Sequence, residues 1–89
     1  ATYYDVGLGA CGITNVPTDF VIALDSDQFG TGQDCFKTIT ITSQGKTTNA
    51  QIVDKCPGCP FGGIDMSTSL FQFFADLGVG VLEVDWDFA

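Results

Sequence analysis

Two aspartates on either side of a cysteine-rich turn are the residues of this chain best suited to act together chemically. Asp54 ends the apolar segment QIVD, and Asp65 lies in GGIDMS, just before a serine-led helical pattern. The segment between them, CPGCPFGG, is too poor in helix formers to hold the two carboxylates far apart. Neighbouring carboxylates can accept hydrogen bonds from hydroxyl groups, and in a partly desolvated groove one pKa rises and creates an acid. The pattern therefore predicts a surface groove lined by Asp54 and Asp65.

Five short segments with strand character must position these carboxylates. They are rich in β-branched or aromatic residues, and they are Thr2 to Val6, Phe20 to Leu24, Phe36 to Thr42, Thr47 to Val53 and Val81 to Phe88. The second segment also fits one helical turn, and Ser43 to Lys46 forms a hairpin turn between the third and the fourth. Asp54, which directly follows the fourth segment, is in phase with Ala50 and Ile52, so the alternation predicts that it points toward the barrel axis where the strand opens into a groove.

One helix and an alternating C-terminal strand complete the predicted domain. Ser67 to Leu77 has Ser67 as a plausible N-cap, an apolar stripe that includes Phe71 and Phe74, and a glycine after its last periodic residue. In the final segment apolar and acidic residues alternate. This pattern predicts that Trp86 lies in the core and that the three acidic side chains face solvent.

Length and charge restrict the partners that this chain can have. Its 89 residues fit one domain, and a start at Ala1 without Met suits a secreted protein whose signal peptide has been removed. The formal net charge is −8, with three Lys or Arg residues and no His. Nucleic acid, anionic polymers such as polygalacturonate and anionic membranes are disfavoured because the chain has no basic patch. We therefore expect a soluble monomer whose partner is neutral or cationic, with no nucleic acid and no membrane as partner.

The four cysteines allow a zinc site, a redox centre or two disulfides. Cys56 and Cys59 form one C-x-x-C motif, but Cys11 and Cys35 do not form a second one and no His is present, which argues against zinc. The prolines and glycines after the motif forbid the helix that a thioredoxin-type centre needs. We expect two disulfides, no metal and no cofactor. Three pairings are possible, and the two that lead are Cys11–Cys35 with Cys56–Cys59 and Cys11–Cys56 with Cys35–Cys59.

Four motifs that follow one another in order resemble those of a known group of proteins. ATYYDVGLGACG, ALDSDQFGTGQDCFKTITI, IVDKCPGCPFGGIDMSTSLF and VLEVDWDF are similar to the six-stranded double-psi β-barrel shared by expansins, barwin-like proteins and family-45 endoglucanases. The similarity covers nearly the whole chain and is strongest to the small fungal expansin-like proteins called loosenins. It implies a mainly β fold over residues 1–89, with one helix at about residues 67–77 and two disulfides. Since the chain ends at Ala89, we expect no carbohydrate-binding second domain of the kind found in full expansins.

The resemblance also implies roles for individual residues. Asp65 falls where the family carries HFDL, whose aspartate is the proton donor in the hydrolases and is essential for wall loosening in expansins, although Gly-Ile replaces His-Phe here. Asp54 resembles a groove aspartate of bacterial expansins. Tyr3 and Tyr4 match the N-terminal strand that lines the groove, and Asp5 falls near the catalytic base of the hydrolases, with a spacing one residue shorter. Because neighbours on a strand point to opposite faces, we expect only one tyrosine in the groove, namely Tyr4.

The resemblance favours one of the open disulfide pairings. Cys11–Cys35 matches the family bridge between the first loop and the third strand, which leaves Cys56–Cys59 as the second bridge. In the chain-entropy description these bridges contribute roughly 3.5 and roughly 2 kcal/mol.

The function implied by the resemblance is that of a secreted, fungal, non-enzymatic protein that binds cell-wall polysaccharide. It would hold a neutral or cationic glycan, such as cellulose or chitin, in a shallow groove and loosen it without hydrolysis, with Asp65 and Asp54 as the essential carboxylates. The further residues expected to contact the glycan are Tyr4, Tyr3, Asp5 and Phe61. One alternative is a cysteine-protease inhibitor or effector that uses the CPGCPF loop, with Phe61 as a preorganised wedge. A second alternative is a weak inverting endoglucanase with Asp65 as acid and Asp5 or Asp54 as base.

Each candidate also has a purely structural interpretation. Asp65 could favour the positive end of the helix that follows it. Asp54 could satisfy backbone amides of a turn, and Asp5 could be a solvated carboxylate at the end of a strand. Phe61 could pack beneath its own loop.

Overall fold

The computed structural model describes all 89 residues and is built mainly of short strands. In chain order the elements are β1 (Thr2–Tyr4), β2 (Val21–Asp25), α1 (Ser26–Phe29), β3 (Thr38–Ser43), β4 (Lys46–Cys56), β5 (Ile64–Ser67), α2 (Thr68–Phe74), a 3-10 turn (Leu77–Val79) and β6 (Asp85–Phe88). None of the helices has the length and apolarity that crossing a lipid bilayer requires.

The six strands form one curved sheet in the order β1-β5-β2-β4-β3-β6. β1 pairs with β5 and β2 with β4 in parallel, whereas the remaining neighbours are antiparallel. The two ends of the sheet approach each other where Ala1 exchanges backbone hydrogen bonds with Leu82. The fold is therefore the six-stranded double-psi β-barrel that the resemblance implies.

The interior of the barrel is a single cluster of 13 buried hydrophobic residues, drawn mainly from β2 to β5 and α2. Ile39 and Ile41 are fully buried, whereas the threonines that alternate with them on β3 are exposed or partly exposed, as predicted. Phe71 and Phe74 of α2 are also buried, as predicted. Each side chain of this size stabilises the fold by roughly 1.5–3 kcal/mol through its removal from water.

The β3–β4 hairpin forms at the predicted turn. Gln44 and Gly45 have φ angles of 52° and 78°, and two successive positive φ values characterise the type I′ turn that suits a two-residue hairpin. β3 begins at Thr38 and not at Phe36, because Phe36 has a φ of 67° and so cannot belong to a strand.

Two disulfides, Cys11–Cys35 and Cys56–Cys59, are present. The pairing favoured by the resemblance is therefore confirmed. The first bridge ties the loop after β1 to the segment before β3, and the second closes a short turn at the end of β4.

Several predicted boundaries differ from the structure. β1 ends at Tyr4, β4 extends to Cys56, and β6 begins only at Asp85. The segment that fitted a strand or a helical turn is a strand, β2, all five residues of which are buried. The predicted helix ends at Phe74, yet Leu77 still packs against the core from the 3-10 turn. Apolar spacing therefore continues past the end of the helix, and it could not reveal where the helix stops.

Asp65 lies within a strand that residue patterns did not predict. It is the second residue of β5, two positions before the N-cap Ser67 of α2. The four residues of β5 are enclosed between β1 and β2, so the strand is too short and too buried to show an alternating pattern.

A register shift between β2 and β4 reverses the predicted direction of Asp54. Ile22 pairs with Ile52, but Ala23 pairs with Asp54, so Val53 is an extra residue on β4. Such a bulge changes the alternation of the strand, and Asp54 shares a face with Ala23 while Ile52 stays in the core. The prediction that Asp54 points toward the barrel axis is therefore wrong, because the side chain lies on the outer face of the sheet.

The predicted core position of Trp86 is also only partly correct. Trp86 packs against the core but stays partly exposed, and its indole Nε1 donates a hydrogen bond to the Gly62 carbonyl at 2.9 Å. β6 is the outer strand of the sheet, so one flank of Trp86 has no neighbouring strand. The acidic residues Glu83, Asp85 and Asp87 are exposed, as predicted.

Candidate functional site

Four residues from four neighbouring strands form a row across the outer face of the sheet. Thr2 of β1 lies opposite Asp65 of β5, Asp65 opposite Ala23 of β2, and Ala23 opposite Asp54 of β4. Because directly opposed residues point to the same face, the four side chains project on one side of the sheet. The two aspartates are two strands apart, roughly 9–10 Å between backbones, with only the methyl group of Ala23 between them.

This row, Thr2–Asp65–Ala23–Asp54, forms the floor of a groove of about 380 Å³. Tyr4, Lys55 and the disulfide loop at residues 56–59 complete the lining of the groove. Three residues that the sequence singled out, Asp54, Asp65 and Tyr4, are thus brought together in one depression.

Asp65 is partly buried and has few donors. One carboxylate oxygen accepts a hydrogen bond from the Thr2 hydroxyl, and the other lies 3.6 Å from the Cys56 sulfur. That sulfur belongs to a disulfide and carries no proton, so it cannot stabilise the negative charge. Burial raises the pKa of Asp65 above its ordinary value, and the positively charged amino terminus offsets part of this effect. Asp65 therefore holds its proton to a higher pH than an ordinary aspartate does.

Asp54 has a different environment on the same face. Its Oδ1 accepts hydrogen bonds from the backbone amides of Ala10 and Lys55, both at 2.8 Å. The structural interpretation of Asp54 as an acceptor for turn amides is therefore correct. Oδ2 accepts no hydrogen bond from the protein, so Asp54 joins the first loop to β4 and still presents one oxygen to the groove.

The two tyrosines of β1 lie on opposite faces, and Tyr4 is the one in the groove. Burial, with the negative charges of Asp54 and then Asp65, raises the pKa of Tyr4 to about 12. Its hydroxyl therefore stays protonated and can donate a hydrogen bond. Tyr3 packs against Phe71 with ring centroids 4.8 Å apart, and its hydroxyl donates to the Leu77 carbonyl. The expectation that Tyr3 contacts a glycan is wrong, because its ring belongs to the core side of β1.

Asp5 and Phe61, the remaining candidates, are not part of the groove. Asp5 follows the end of β1, is exposed and does not line the depression. Phe61 is 75% exposed and lies outside the groove lining, so it does not pack beneath its own loop. The structure thus separates a groove site from an exposed aromatic side chain on the neighbouring loop.

Three residues beside the groove have possible metal-ligand atoms close enough together to hold an ion. The ligand atoms of Cys56, Cys59 and Asp65 lie within 4.8 Å of one another. The two sulfurs are bonded to each other, however, and a disulfide sulfur is not the thiolate that zinc requires. With the disulfide intact these residues do not fit a metal site.

Sequence reasoning missed three residues of the groove. Thr2 supplies the only hydrogen bond that Asp65 accepts from a hydroxyl, Ala23 forms the floor, and Lys55 is the only lysine in the lining. Thr2 could have been found because it pairs in register with Asp65 once β5 is known. Ala23 has no functional group that could mark it in the sequence. Only the register of β2 with β4 and β5 shows that it lies between the two aspartates.

Comparison with known proteins identifies relatives for nearly the whole chain. The chain is 40% identical over 94 aligned residues to the allergen Asp f 7 of Aspergillus fumigatus, which covers 98% of this chain and 34% of the relative. It is 31% identical to kiwellin from Actinidia chinensis over 78% of this chain and 39% of that protein. The chain therefore spans about a third of the length of these curated relatives. No family model matches the chain.

Solved structures with the same fold include both an inhibitor and an expansin. The Streptomyces papain inhibitor superposes with a TM-score of 0.88 at 30% identity and covers 99% of this chain and 88% of its own. A mutant Clavibacter michiganensis expansin, solved in complex with cellohexaose, gives a TM-score of 0.89 at 24% identity over 99% of this chain and 47% of that one. These likenesses agree with the six-stranded barrel described above. The chain belongs to the expansin-like, barwin-like family of double-psi β-barrel proteins.

Proposed function

We propose that this protein binds a neutral or cationic cell-wall glycan of the cellulose or chitin class in its groove and loosens the glycan without cleaving it. The row Thr2–Asp65–Ala23–Asp54, with Tyr4 beside it, is the observation that carries the proposal. A sugar ring can lie over the small Ala23 while its hydroxyls donate to the carboxylates. The cellohexaose in the similar expansin structure supports this ligand class.

Loosening follows from differential affinity. The carboxylates of Asp54 and Asp65 are fixed in position, so the groove would bind a single glycan chain in one conformation. In a packed fibril the glycan chains have a different conformation. If the protein binds the separated strand more tightly than the packed strand, it shifts the population toward separated strands. No covalent step is needed, because the protein competes for the hydroxyl groups that otherwise connect neighbouring polymers.

Hydrolysis is the less favoured outcome for this groove. An inverting hydrolase needs an acid, a base and a water between them. Burial raises the pKa of Asp65, but Asp5, which falls near the base of the hydrolases, does not line the groove. Asp54 could serve only through its one oxygen that is free of backbone amides.

The test treats filter paper or chitin with the protein and measures mechanical weakening together with soluble reducing ends. We expect weakening without sugar release at an enzymatic rate. Asp65→Asn should lose the effect, while the exposed Asp76→Asn, which removes the same charge elsewhere, should retain it. Reducing ends that accumulate catalytically would make the protein an endoglucanase.

We further propose that the protein acts outside the cell as a monomer. Two disulfides in so short a chain suit an oxidising compartment, and the fungal allergens among the relatives agree with this location. A net charge of −8 opposes association between copies.

One observation favours a second function, inhibition of a cysteine protease. Phe61 is 75% exposed on a loop that the Cys56–Cys59 bridge holds in place, and such a preorganised aromatic is a suitable interface anchor. The similar structure of a papain inhibitor supports this class of partner. A papain assay with wild type and Phe61→Ala separates the two functions. Micromolar inhibition that Phe61→Ala abolishes would support the inhibitor, and absence of inhibition would remove it.

A further inference from the structure

One outer edge of the sheet is covered by another segment of the chain, and the other outer edge is open. The free edge of β1 is covered by the segment before β6, because Ala1 and Leu82 exchange hydrogen bonds and the Tyr3 hydroxyl binds the Leu77 carbonyl. The free edge of β6 has no such cover. Beside it lies a hollow of about 370 Å³ between Gln28, Gly62 and residues 84–88.

The backbone groups on this edge are unpaired. The Ala89 amide donates a hydrogen bond to the Thr38 carbonyl. Because backbone groups alternate in direction along an antiparallel strand, the amides and carbonyls of Asp85 and Asp87 also point toward β3. The amides and carbonyls of Trp86 and Phe88 point away from β3, toward the open edge. Val84 makes no backbone hydrogen bond, and the Phe88 amide is occupied by the Asp87 carboxylate at 2.8 Å. The edge therefore offers the amides and carbonyls of Val84 and Trp86, followed by the carbonyl of Phe88.

The side chains around this edge combine apolar contact area with strong negative charge. Trp86 and Phe88 are both partly exposed and pack edge to face with ring centroids 5.6 Å apart. The carboxylates of Glu83, Asp85 and Asp87 are exposed along the same segment. The Nζ of Lys37 lies 6.0 Å from the centroid of the Phe88 ring, and this lysine already pairs with Asp34 at 2.8 Å.

We propose that the open edge of β6 is a binding site for an extended, basic peptide segment of a partner protein, which adds as a further strand next to β6. Main-chain hydrogen bonds to Val84 and Trp86 would supply the register, and the two aromatic side chains would contact alternate residues of the peptide. Lysine or arginine side chains would neutralise the three carboxylates. A second copy of this chain does not fit, because it would bring a net charge of −8 and the same acidic row to the edge.

The test is an NMR titration of the full protein with a capped heptapeptide of alternating Lys and Val. We expect shift changes centred on residues 84–88 and the Trp86 indole, together with slower hydrogen exchange at the Trp86 amide. Two control ligands are used, namely the same peptide with Glu in place of Lys and the same peptide methylated at every backbone nitrogen. Both should bind at least about fivefold more weakly.

Two protein variants complete the experiment. The double variant Asp85→Asn with Asp87→Asn keeps the backbone edge and should weaken binding of the basic peptide at least about fivefold. Asp65→Asn removes one charge from the groove and should leave the affinity unchanged. The proposal is overturned if the methylated peptide binds as well as the unmethylated one, if shift changes spread over the whole acidic surface, or if the Trp86 amide exchanges at its original rate.

Discussion

Asp65 combines partial burial with a single hydroxyl partner, and burial raises the pKa of its carboxyl group. Its raised pKa means that the folded chain holds this proton more tightly than the unfolded chain does. The contribution of Asp65 to the free energy of unfolding is therefore most favourable below the ordinary carboxyl pKa of about 4. It declines as pH rises from there through the raised value in the folded state.

Asp65→Asn should therefore lose glycan activity without losing the fold. We expect the melting temperature of the variant to equal or slightly exceed that of wild type near neutral pH, because the buried charge is gone. The excess should vanish in acid, where Asp65 of the wild type is protonated. Glycan affinity should fall about tenfold or more, through loss of a charged acceptor. Thermal melts across this pH range check the first expectation, and Asp76→Asn controls for net charge. A variant that fails to fold would show that Asp65 is structural.

Asp54 permits a sharper comparison between two substitutions. Asp54→Asn keeps an oxygen that can accept from the Ala10 and Lys55 amides, whereas Asp54→Ala leaves both amides without that partner. We expect Asn to reduce glycan binding partially with little effect on stability. Ala should in addition lower the free energy of unfolding by about 0.5–1.5 kcal/mol, because the two exposed amides can bond to water instead. Denaturant titration of both variants measures this difference, and equal stability of the two would contradict the bonding described for Asp54.

Among the elements, the loop after β1 and the bulge in β4 pack closely together, and this contact fixes the position of Asp54 in the groove. A Cβ on Gly9 would lie 2.4 Å from the Val53 carbonyl oxygen, at the bulged residue itself. Gly9→Ala should therefore push the loop away from β4, lower the free energy of unfolding by about 1–3 kcal/mol and withdraw the Ala10 amide from Asp54.

Gly7→Ala is the matched control, because a Cβ on Gly7 meets no atom within 4 Å. Denaturant titration should show Gly7→Ala close to wild type in stability, and glycan affinity should fall only for Gly9→Ala. If the two variants have the same stability and the same glycan affinity, the close approach of the loop to the bulge does not fix the shape of the groove.

The elements also show how far the sequence alone could lead. The alternation of Ile39 and Ile41 and the turn at Gln44 were predictable, because local spacing and turn chemistry decide them. Residue types alone marked Asp54 and Asp65 as a pair. The bulge at Val53 was not predictable, since it arises from pairing between strands far apart in the chain, and it placed Asp54 on the outer face. The position of β5 was not predicted, because its four enclosed residues show no alternation.

At the scale of the whole molecule, charge distribution separates the groove from the rest of the surface. Of the three lysines, Lys37 pairs with Asp34 and Lys46 binds the Phe73 carbonyl, while Lys55 lines the groove. Capture of the protein by cellulose should therefore depend on fixed hydrogen bonds and stacking and should change little between low and high salt. Capture by chitosan should weaken with salt, and polygalacturonate should capture nothing. Salt-sensitive capture by cellulose in a sedimentation assay would argue against this account.

The most direct test of the central claim, that the groove holds a glycan strand, is an NMR titration of the protein with cellohexaose and with a chitin hexamer. We expect the largest shift changes for at least one of these oligosaccharides to fall on the amides of Tyr4, Ala23, Asp54 and Asp65. Asp65→Asn should abolish these changes and Asp76→Asn should leave them intact. Changes confined to Phe61 or to β6, or no change at saturating oligosaccharide, would contradict binding of a glycan strand in the groove.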